Sequence, residues 1–562
     1  MPPARTTSTG SKGPPLEDIN LFSSDVALQE AMTREGAGQS AKRLSGFGLM
    51  AGSAEVIERG RIANAHRPEL VTHDRDGVRC NRIDYHPAYH DLMEMSVSEG
   101  LQATAWIAAA AKDPVLRPGL YVERAGGLYM AAQVDAGHVR SISMTHSAVP
   151  ALSHEAPIAA AWVPKIISRS HDRSDGTITG KASCTLSFAF AEHAADGAGT
   201  VHAQAKPLTR DESGALYAVS GLKWNAVAPT ADGLIVLAHT SNEPSKKAKG
   251  VSCFLAPRIL PDDERNTLHL RRLKDTMGLR SSACAEIEFD NAHAWLLGEE
   301  GHGLDVISET ILHARLDTVI VTAGLMRQCL AQALNFTEHH YDGRAPLSAG
   351  MAMKQTLADM ALDAEVAAAL GFRLARAFDR ATDIRAAAWR RLMTPVSVYW
   401  VSRRAPVLAA EAMDCFEAHG GLEDWPATRL YRDCAAAAMA DGSANSMAFE
   451  VLRILQREPN VAETVMEELG QAAGDDPHLR AAHARVEAIL QDPRHLDARG
   501  RLLLESLATL AAGTILRAHG PAPIADAFIK SRMGNQPRQS YGQGLEWVDM
   551  GMIVRRASPH QV

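Results

Sequence analysis

The stretch RLKDTMGLRSSACAEIEFDNAHAWLLGEEGHGL (residues 272–304) lies where one sequence pattern ends and another begins. Its CAEIEFD run (284–290) is short and β-favouring, and turn residues bound it, which predicts a strand. The following residues, LDVISETILHARLDTVIVTAGLMRQCLAQALNFTEHH (304–340), keep apolar positions at spacings of three and four. That spacing predicts a long amphipathic helix. The stretch therefore joins a β-region to a helical region.

Short β-favouring runs also precede this stretch, separated by Gly, Pro, Asp and Asn residues. They are CTLSFAFAE (184–192), LYAVSG (216–221), LIVLAHT (234–240) and SCFLAP (252–257). On both sides of this β-region apolar residues recur at helical spacing, and the first residues are rich in Pro, Gly and Ser. The pattern predicts an α+β fold in five parts: a disordered N-terminus (1–16), an N-terminal helical domain (17–180), a β-domain (181–297), a C-terminal helical bundle (298–460) and a helical extension (461–562).

The composition is typical of a protein with a large core in a reducing compartment. The chain has 562 residues and a formal net charge of −8, with acidic and basic residues interleaved along its length. Its seven cysteines are scattered and form no CxxC pair. The first residues lack the apolar core of a signal peptide, and no run of about 18 apolar residues occurs. We therefore expect a cytoplasmic protein without a membrane partner.

The motifs of several other catalytic classes are missing from the sequence. It contains no serine-hydrolase or kinase signature, and no Gly-rich nucleotide loop follows a strand. His339 and His340 are adjacent, so on a helix their side chains point about 100° apart and do not share a metal ion. We therefore predict no metal site.

Several segments resemble the acyl-CoA dehydrogenase superfamily. In residues 272–304 a Gly-Leu-Arg turn, a strand and a Leu-Gly-x-x-Gly-x-Gly turn lead into the long helix, as at the end of that family's β-domain. LADMAL (357–362) and LYRD (430–433) also match family segments. The extra C-terminal helices resemble the AidB branch, a group of alkylation-response flavoproteins. So do three further segments: LFSSDVALQEAMTREGAG (21–38), LARAFDR (374–380) and FEVLRILQRE (449–458).

This resemblance implies the superfamily's fold, with a small barrel-like β-domain and a four-helix bundle. It also implies a homotetramer or homodimer, with FAD bound between the β-domain and a neighbouring subunit. The substrate would be an acyl compound or a related small molecule oxidised at a CH–CH bond. FAD would accept the hydride, because no side chain can do so. For AidB-like members the resemblance further implies duplex DNA binding through the C-terminal region.

The segment AFAEHAADGAGT (189–200) takes the position of the family's flavin loop. The resemblance places Glu192 at the loop's acid, whereas Ala191 replaces a threonine whose hydroxyl reaches the flavin ring. Gly197, Gly199 and Thr200 are candidate contacts, since glycine lets backbone N–H groups approach a ligand closely. The alternative is an ordinary flexible turn, because Gly-rich turns are common without ligands.

Four more residues are candidate FAD contacts by their positions in the family pattern. Lys223 matches the lysine of a Gly-x-Lys strand, and Trp224 follows it. Strand alternation predicts that Trp224 points to the opposite face, as a core or interface aromatic. His340 stands where the family has an arginine that reaches a neighbouring subunit. Arg344, four residues later, offers a guanidinium suited to phosphate, or is simply solvated.

The segment ADGS (440–443) replaces the family segment that carries the α-proton base. The resemblance makes Asp441 the candidate base, with Gly442 and Ser443 beside the cofactor. Asp is one methylene shorter than Glu, and a misplacement of about 1 Å can cost about 100-fold in rate. The alternative role for Asp441 is a helix N-cap. His146 is a second catalytic candidate, since a pKa near 6.5 suits proton transfer, and its alternative is a structural histidine.

Arg453 matches an AidB-like arginine, and Arg532 belongs to a modestly basic C-terminal segment. Both are candidate DNA contacts, although residues 461–562 are close to neutral overall. Three functions remain open at this point. The first is an FAD-dependent oxidoreductase, and the second is a flavin-independent enzyme or ligand-binding protein that uses the same pocket. The third is a non-catalytic subunit that associates with DNA or a partner.

Overall fold

The computed structural model describes residues 13–110, 119–192, 201–240, 250–343, 345–492, 494–534 and 540–560. Its elements follow the predicted order of helical, β and helical parts, which confirms the α+β fold. Within these ranges, the helices are either too short or too polar to span a bilayer.

The N-terminal part is mainly helical, as predicted. Several of its helices begin at a side-chain cap; Asp25 Oδ1, for example, accepts a hydrogen bond from Leu28 N–H at 3.0 Å. Its elements are α1 (Val26–Arg34), α2 (Ala41–Ala51), α3 (Ala54–Ala65), β1 (Glu69–His73), β2 (Arg79–Asp84), α4 (Pro87–Ser98), α5 (Thr104–Ala110), α6 (Leu120–Val134), α7 (Ala136–Leu152) and α8 (Ala156–Ile166).

Strands β1 and β2 form an antiparallel hairpin that the sequence pattern did not predict. Most residues of the two strands are polar or only partly buried, and Ile83 alone is buried among them, so the strands lack the alternation of a half-buried strand. Asn81 Nδ2 donates to the carbonyl oxygen of Leu268 in the β-domain at 2.8 Å. The hairpin is therefore held by a tertiary contact rather than by its own apolar pattern.

The β-domain closes on itself. Its strands are β3 (Leu186–Ala189), β4 (Gln204–Asp211), β5 (Gly214–Val227), β6 (Gly233–His239), β7 (Val251–Pro257), β8 (Leu268–Leu273) and β9 (Cys284–Leu297). Strand β6 pairs with β7 on one side and with β4 on the other, so β4, β5, β9, β7 and β6 form a ring. Strands β3 and β8 add to β6 and β9. This closure agrees with the barrel-like domain that the resemblance implied.

The C-terminal bundle is organised around the long helix that opened the sequence analysis. Its elements are α9 (Gly303–His339), β10 (Tyr341–Asp342), β11 (Ala345–Pro346), α10 (Met351–Asp379), α11 (Ile384–Cys415) and α12 (Pro426–Ala437). Helix α9 packs against α6 and α7 of the N-terminal part and against α10, α11 and α12. It is therefore buried on most sides, and one hydrophobic core runs through the N-terminal part, the bundle and the extension.

The bundle ends with α13 (Ala444–Arg457), and the extension adds α14 (Pro459–Ala473), α15 (Pro477–Leu490), α16 (Gly500–His519), α17 (Ala522–Met533) and α18 (Met550–Ala557). These last five helices lie in the segment for which the sequence pattern predicts a helical extension. Arg556 on α18 forms ion pairs with Glu30 at 2.5 Å and Glu365 at 2.9 Å. The end of the described chain is thus tied to α1 and α10.

Two segments that carried the family resemblance meet in space. Asp433 of LYRD accepts a hydrogen bond from Leu279 N–H of the Gly-Leu-Arg turn at 2.6 Å. Beside it, a Cβ on Gly278 would lie 2.3 Å from the carbonyl oxygen of Arg432, so this position has no room for a side chain. The turn before β9 is therefore pressed against α12, and this contact positions the residues that follow α12.

Candidate active site

A cavity of about 220 Å³ lies where the N-terminal part, the β-domain and the bundle meet. Two helices contribute facing stripes at helical spacing. The stripe on α7 consists of Ala136, Val139, Arg140, Ser143 and Met144, and that on α9 of Ile311, Ala314, Asp317, Thr318, Val321 and Thr322. Most of these side chains are apolar or small, and the charged ones are few.

The β-domain forms a third wall of the cavity. Phe188 and Phe190 line it with rings stacked at 5.2 Å between centroids and 5° between planes. Ala191, Asn225 and Val227 complete this wall. The Oδ1 atom of Asn225 accepts from the Cys284 thiol at 2.5 Å, which leaves its amide group without a hydrogen bond among the described residues. Neither phenylalanine nor Asn225 was predicted as a site residue. The phenylalanines lie at the start of the predicted flavin loop, and Asn225 follows Trp224 on the next strand.

Asp441 closes the cavity from the turn between α12 and α13. The residue is partly buried, and its Oδ2 atom is fully buried without a hydrogen-bond partner in the described structure. Burial raises the pKa of Asp441 above its ordinary value, and the Thr318 hydroxyl and the charges of Arg315 and Arg140 partly oppose this rise. A buried carboxylate with a free oxygen and a raised pKa is suited to accept a proton.

The helix-cap alternative for Asp441 is wrong. Ser443 caps α13, because its Oγ accepts from Ser446 N–H at 3.1 Å. Gly442 lies between them with φ +107°, a conformation that side chains rarely adopt. The Ser443 hydroxyl is thus engaged in the cap, and both residues are largely exposed. Only Asp441 of this candidate trio lines the cavity.

Two other charges, Asp317 at the bundle wall and Arg315, whose charge acts on Asp441, are neutralised by partners. Asp317 receives a bidentate contact from Arg124, with N–O distances of 2.5 and 2.7 Å, and both side chains are almost fully buried. Arg315 pairs with Glu450 at 2.5 Å. Asp317 therefore contributes little free charge to the cavity, whereas Asp441 keeps its own.

Glu192 and Lys223 form a buried ion pair with each other. Lys223 Nζ also donates to the Leu237 carbonyl oxygen at 2.6 Å, and Glu192 accepts from His202 N–H at 2.7 Å. Burial lowers the pKa of Lys223, and the charge of Glu192 opposes this. Both side chains that the resemblance offered to FAD are thus used to hold the β-domain together.

Trp224 points away from the cavity, as strand alternation predicted. It is 40 % exposed, and Lys274 Nζ lies 4.1 Å from its ring centroid. The neighbouring Asn225 faces the cavity instead. Gly197, Gly199, Thr200 and Arg344, the remaining candidates of the flavin loop and the subunit contact, lie outside the described residues.

His146 lies in a separate buried cluster and is not among the described residues that line the cavity. Its ring is fully buried, 4.9 Å from Trp106 and 5.8 Å from His313 between centroids. Nδ1 contacts the Gln102 carbonyl oxygen at 3.1 Å. Burial and the charge of Arg124 hold the pKa of His146 well below its usual range. Its neutral, enclosed ring fits the structural alternative. Because His146 lies outside the cavity, the structure does not bring it together with Asp441.

His340 ends α9 and stacks on Phe336, with ring centroids 3.7 Å apart. His419 and Trp425 complete this aromatic cluster. Burial and the neighbouring His419 lower the pKa of His340. His340 is not among the described residues that line the cavity, and its expected contact with a neighbouring subunit stays a prediction.

The DNA candidates do not form a basic surface. Arg532 is buried and pairs with Asp359 at 2.6 Å and Asp363 at 2.9 Å, so the sequence prediction for this residue is wrong. Arg453 is exposed on α13. Because phosphate binding depends on several accessible cations, one exposed arginine is weak support for DNA binding.

Comparison with known proteins agrees with this architecture. Residues 11–173 match the family "Adaptive response protein AidB N-terminal domain". Residues 187–292 and 301–455 match the middle and C-terminal domains of acyl-CoA dehydrogenases. The chain is 34 % identical over 517 residues to the putative acyl-CoA dehydrogenase AidB of Escherichia coli, covering 92 % of each chain.

Two solved structures share the fold. ACDH-11 of Caenorhabditis elegans in complex with C11-CoA superposes with a TM-score of 0.83 at 22 % identity, covering 95 % of this chain and 94 % of its own. Bd2924 in its apo form superposes with a TM-score of 0.82 at 20 % identity, covering 91 % of this chain and all of its own.

The chain has helical, β and helical parts in that order, with a mostly apolar cavity at their junction that Asp441 closes. Together with the family matches, this defines an oxidoreductase of the acyl-CoA dehydrogenase superfamily. The N-terminal match and the 34 % identity to the Escherichia coli protein identify the branch of the superfamily. The chain belongs to the AidB branch of that superfamily.

Proposed function

We propose that this protein is an FAD-dependent oxidoreductase that removes two hydrogens from adjacent carbons of a small acyl substrate, with Asp441 as the base. The observation that carries the proposal is the Asp441 Oδ2 atom, buried and without a partner at the wall of a mostly apolar cavity. Membership of the superfamily supplies the expectation of FAD. FAD would provide the hydride acceptor that side chains lack.

The described residues fit a flavin ring. The stacked Phe188 and Phe190 rings and the apolar Val227 offer a surface for a flat aromatic system. Gly197, Gly199, Thr200 and Arg344 are proposed to hold the ribityl and phosphate groups, with His340 at the contact to a second copy in a homodimer or homotetramer.

Asp441 is proposed to take the α-proton onto Oδ2. In its charged form a carboxylate with a raised pKa is a stronger base than an ordinary aspartate, and burial is the cause of the rise here. The Thr318 hydroxyl beside it supports the charged form. The apolar stripes of α7 and α9 exclude water, which strengthens each electrostatic contact inside the cavity.

The described cysteines are free, and six of the seven are buried. This supports the inference that the protein works in the reducing cytoplasm.

The test uses the full chain, loaded with FAD and mixed anaerobically with a series of acyl-CoA thioesters. We expect a yellow protein whose flavin absorbance bleaches with at least one thioester. Replacing Asp441 by Asn should slow bleaching by about 100- to 10,000-fold, because the base is lost, while FAD stays bound. Asp424→Asn, at an exposed carboxylate outside the cavity, is the matched control.

The pH profile gives a second readout. Asp441 must be deprotonated to act, so bleaching should increase with pH through an apparent pKa above the 3.8 of ordinary aspartate. This rise should vanish in Asp441→Asn. A colourless protein that takes up no FAD would refute the proposal and leave the flavin-independent alternative.

A further inference from the structure

Arg140 is an unusual member of the cavity wall. It lies in the middle of the α7 stripe, one turn from Ala136 and one turn from Ser143 and Met144. All other α7 residues that line the cavity are apolar or small. A guanidinium at this position brings a permanent positive charge into a mostly apolar space.

Two other arginines that act on carboxylates of the cavity wall are paired, and within the described residues Arg140 is not. Arg124 binds Asp317, and Arg315 binds Glu450. Within the described ranges the Arg140 guanidinium donates no hydrogen bond and lies within 4 Å of no carboxylate. The charge of Asp441 acts on Arg140 through space, and among the described residues the two form no ion pair.

Arg140 is only partly exposed and lines the cavity, and a cation with little access to water is costly unless it is paired. Burial lowers the pKa of Arg140, and the charge of Asp441 opposes this only in part. Buried charges in proteins are normally paired or bind a ligand. Asp317 does not serve as its partner, because both of its oxygens are bound by Arg124.

Two further hydrogen-bond donors line the same cavity. The Ser143 hydroxyl is buried one turn along α7, and the Asn225 amide faces the cavity from β5. Neither donates a hydrogen bond to another described residue. A planar fork of N–H groups with added neutral donors matches the geometry of a carboxylate.

We infer that Arg140 recognises a carboxylate at the far end of the acyl chain, so that the substrate class is an acyl thioester carrying a second, terminal carboxylate. The inference rests on the proposed function, because it assigns the substrate class of that cavity. Ser143 and Asn225 would donate to the same carboxylate. Asp441 is left free to act on the α-carbon, since Arg140 and Asp441 form no ion pair with each other.

The experiment measures binding rather than turnover. The full chain with the Asp441→Asn substitution, supplied with FAD, is titrated calorimetrically with thioester pairs of equal chain length. The pairs are succinyl- and butyryl-CoA, glutaryl- and valeryl-CoA, and adipyl- and hexanoyl-CoA. We expect at least one dicarboxylic member to bind about 10- to 100-fold more tightly than its partner, the effect of charged hydrogen bonds in a buried site.

Variants of Arg140 then assign the preference. In the same background Arg140→Met, which keeps the length and removes the charge, should abolish it, and Arg140→Lys should retain part of it. Arg210→Met, at an exposed arginine outside the cavity, is the matched control and should keep it in full. Melting temperatures show whether each variant is folded.

The inference is overturned if each pair binds equally, if the monocarboxylic members bind more tightly, or if Arg140→Met keeps the preference. These comparisons do not depend on flavin reduction. A preference without any bleaching in the wild-type protein would therefore refute the proposed function alone. Bleaching by butyryl-CoA without a preference would refute the substrate class alone.

Discussion

The buried pair of Glu192 and Lys223 offers a direct test of whether these two residues stabilise the β-domain or bind the cofactor. Lys223 is fully buried in β5, and its ammonium contacts only Glu192 and the Leu237 carbonyl oxygen among the described residues. Replacing Lys223 by Met leaves the Glu192 carboxylate, whose side chain is 4 % exposed, without a counter-charge. Removing one partner of a buried pair costs about 3–5 kcal/mol of stability.

The double variant Lys223→Met/Glu192→Gln separates the cost of an unpaired buried charge from the cost of a lost hydrogen bond. The glutamine side chain of this variant can still accept from His202 N–H, so only the Leu237 carbonyl oxygen loses its donor, at a cost of about 1 kcal/mol. We therefore expect the double variant to recover most of the stability that the single variant loses. Urea unfolding followed by far-UV circular dichroism measures both differences, because the free energy of unfolding changes linearly with urea.

Flavin affinity decides between the two roles. If the pair is structural, the double variant binds FAD like the wild-type protein, as measured by the retained visible absorbance after dialysis. A double variant that is as stable as expected but has lost FAD would refute the structural assignment. Equal stability of the wild-type protein and both variants would refute the claim that the pair is buried and mutually neutralised.

Two further predictions concern the contact between the Gly-Leu-Arg turn and α12. Gly278→Ala should destabilise the protein by about 2–3 kcal/mol, because the new Cβ would meet the Arg432 carbonyl oxygen. The variant should also turn over more slowly, because the clash displaces the segment that leads to Asp441. An unchanged melting temperature would contradict this. Burial raises the pKa of Asp433 to about 6, so its protonated form is favoured in the folded state and its share of the stability is lost as pH rises from about 4 to 6. Relative to Asp433→Asn, the wild-type protein should therefore lose about 2–3 kcal/mol of stability between pH 4 and pH 7, and parallel stability curves for the two proteins would exclude this role.

The sequence predicted the order of the parts because that order depends on local periodicity. The helical spacing of residues 304–340 survives as the single helix α9, and the β-favouring runs became β3, β5, β6, β7 and β9. The hairpin β1–β2 escaped prediction, since its strands are polar and are held by the β-domain rather than by their own pattern. Strands β4 and β8 also escaped prediction, since most residues of β4 are exposed and β8 is exposed at Arg271 and Arg272.

The candidate site could be predicted only in part, since a family pattern gives positions and not contacts. It placed Asp441 at the cavity and Trp224 on the opposite strand face. It could not distinguish a ligand contact from an internal ion pair, which is how Glu192, Lys223 and Arg532 are used. Nor could it assign the helix cap, which belongs to Ser443.

The sequence by itself determined the fold class, the family and the residue at the position of the base, because these follow from spacing along the chain. The tertiary structure decided which charges remain free. Arg124, Lys223 and Arg532 found carboxylates from distant segments, whereas Arg140 faces a cavity that no segment of the described chain fills. A buried charge is paired only when an opposite charge lies within a few ångströms in the folded protein. Separation along the chain does not predict that distance.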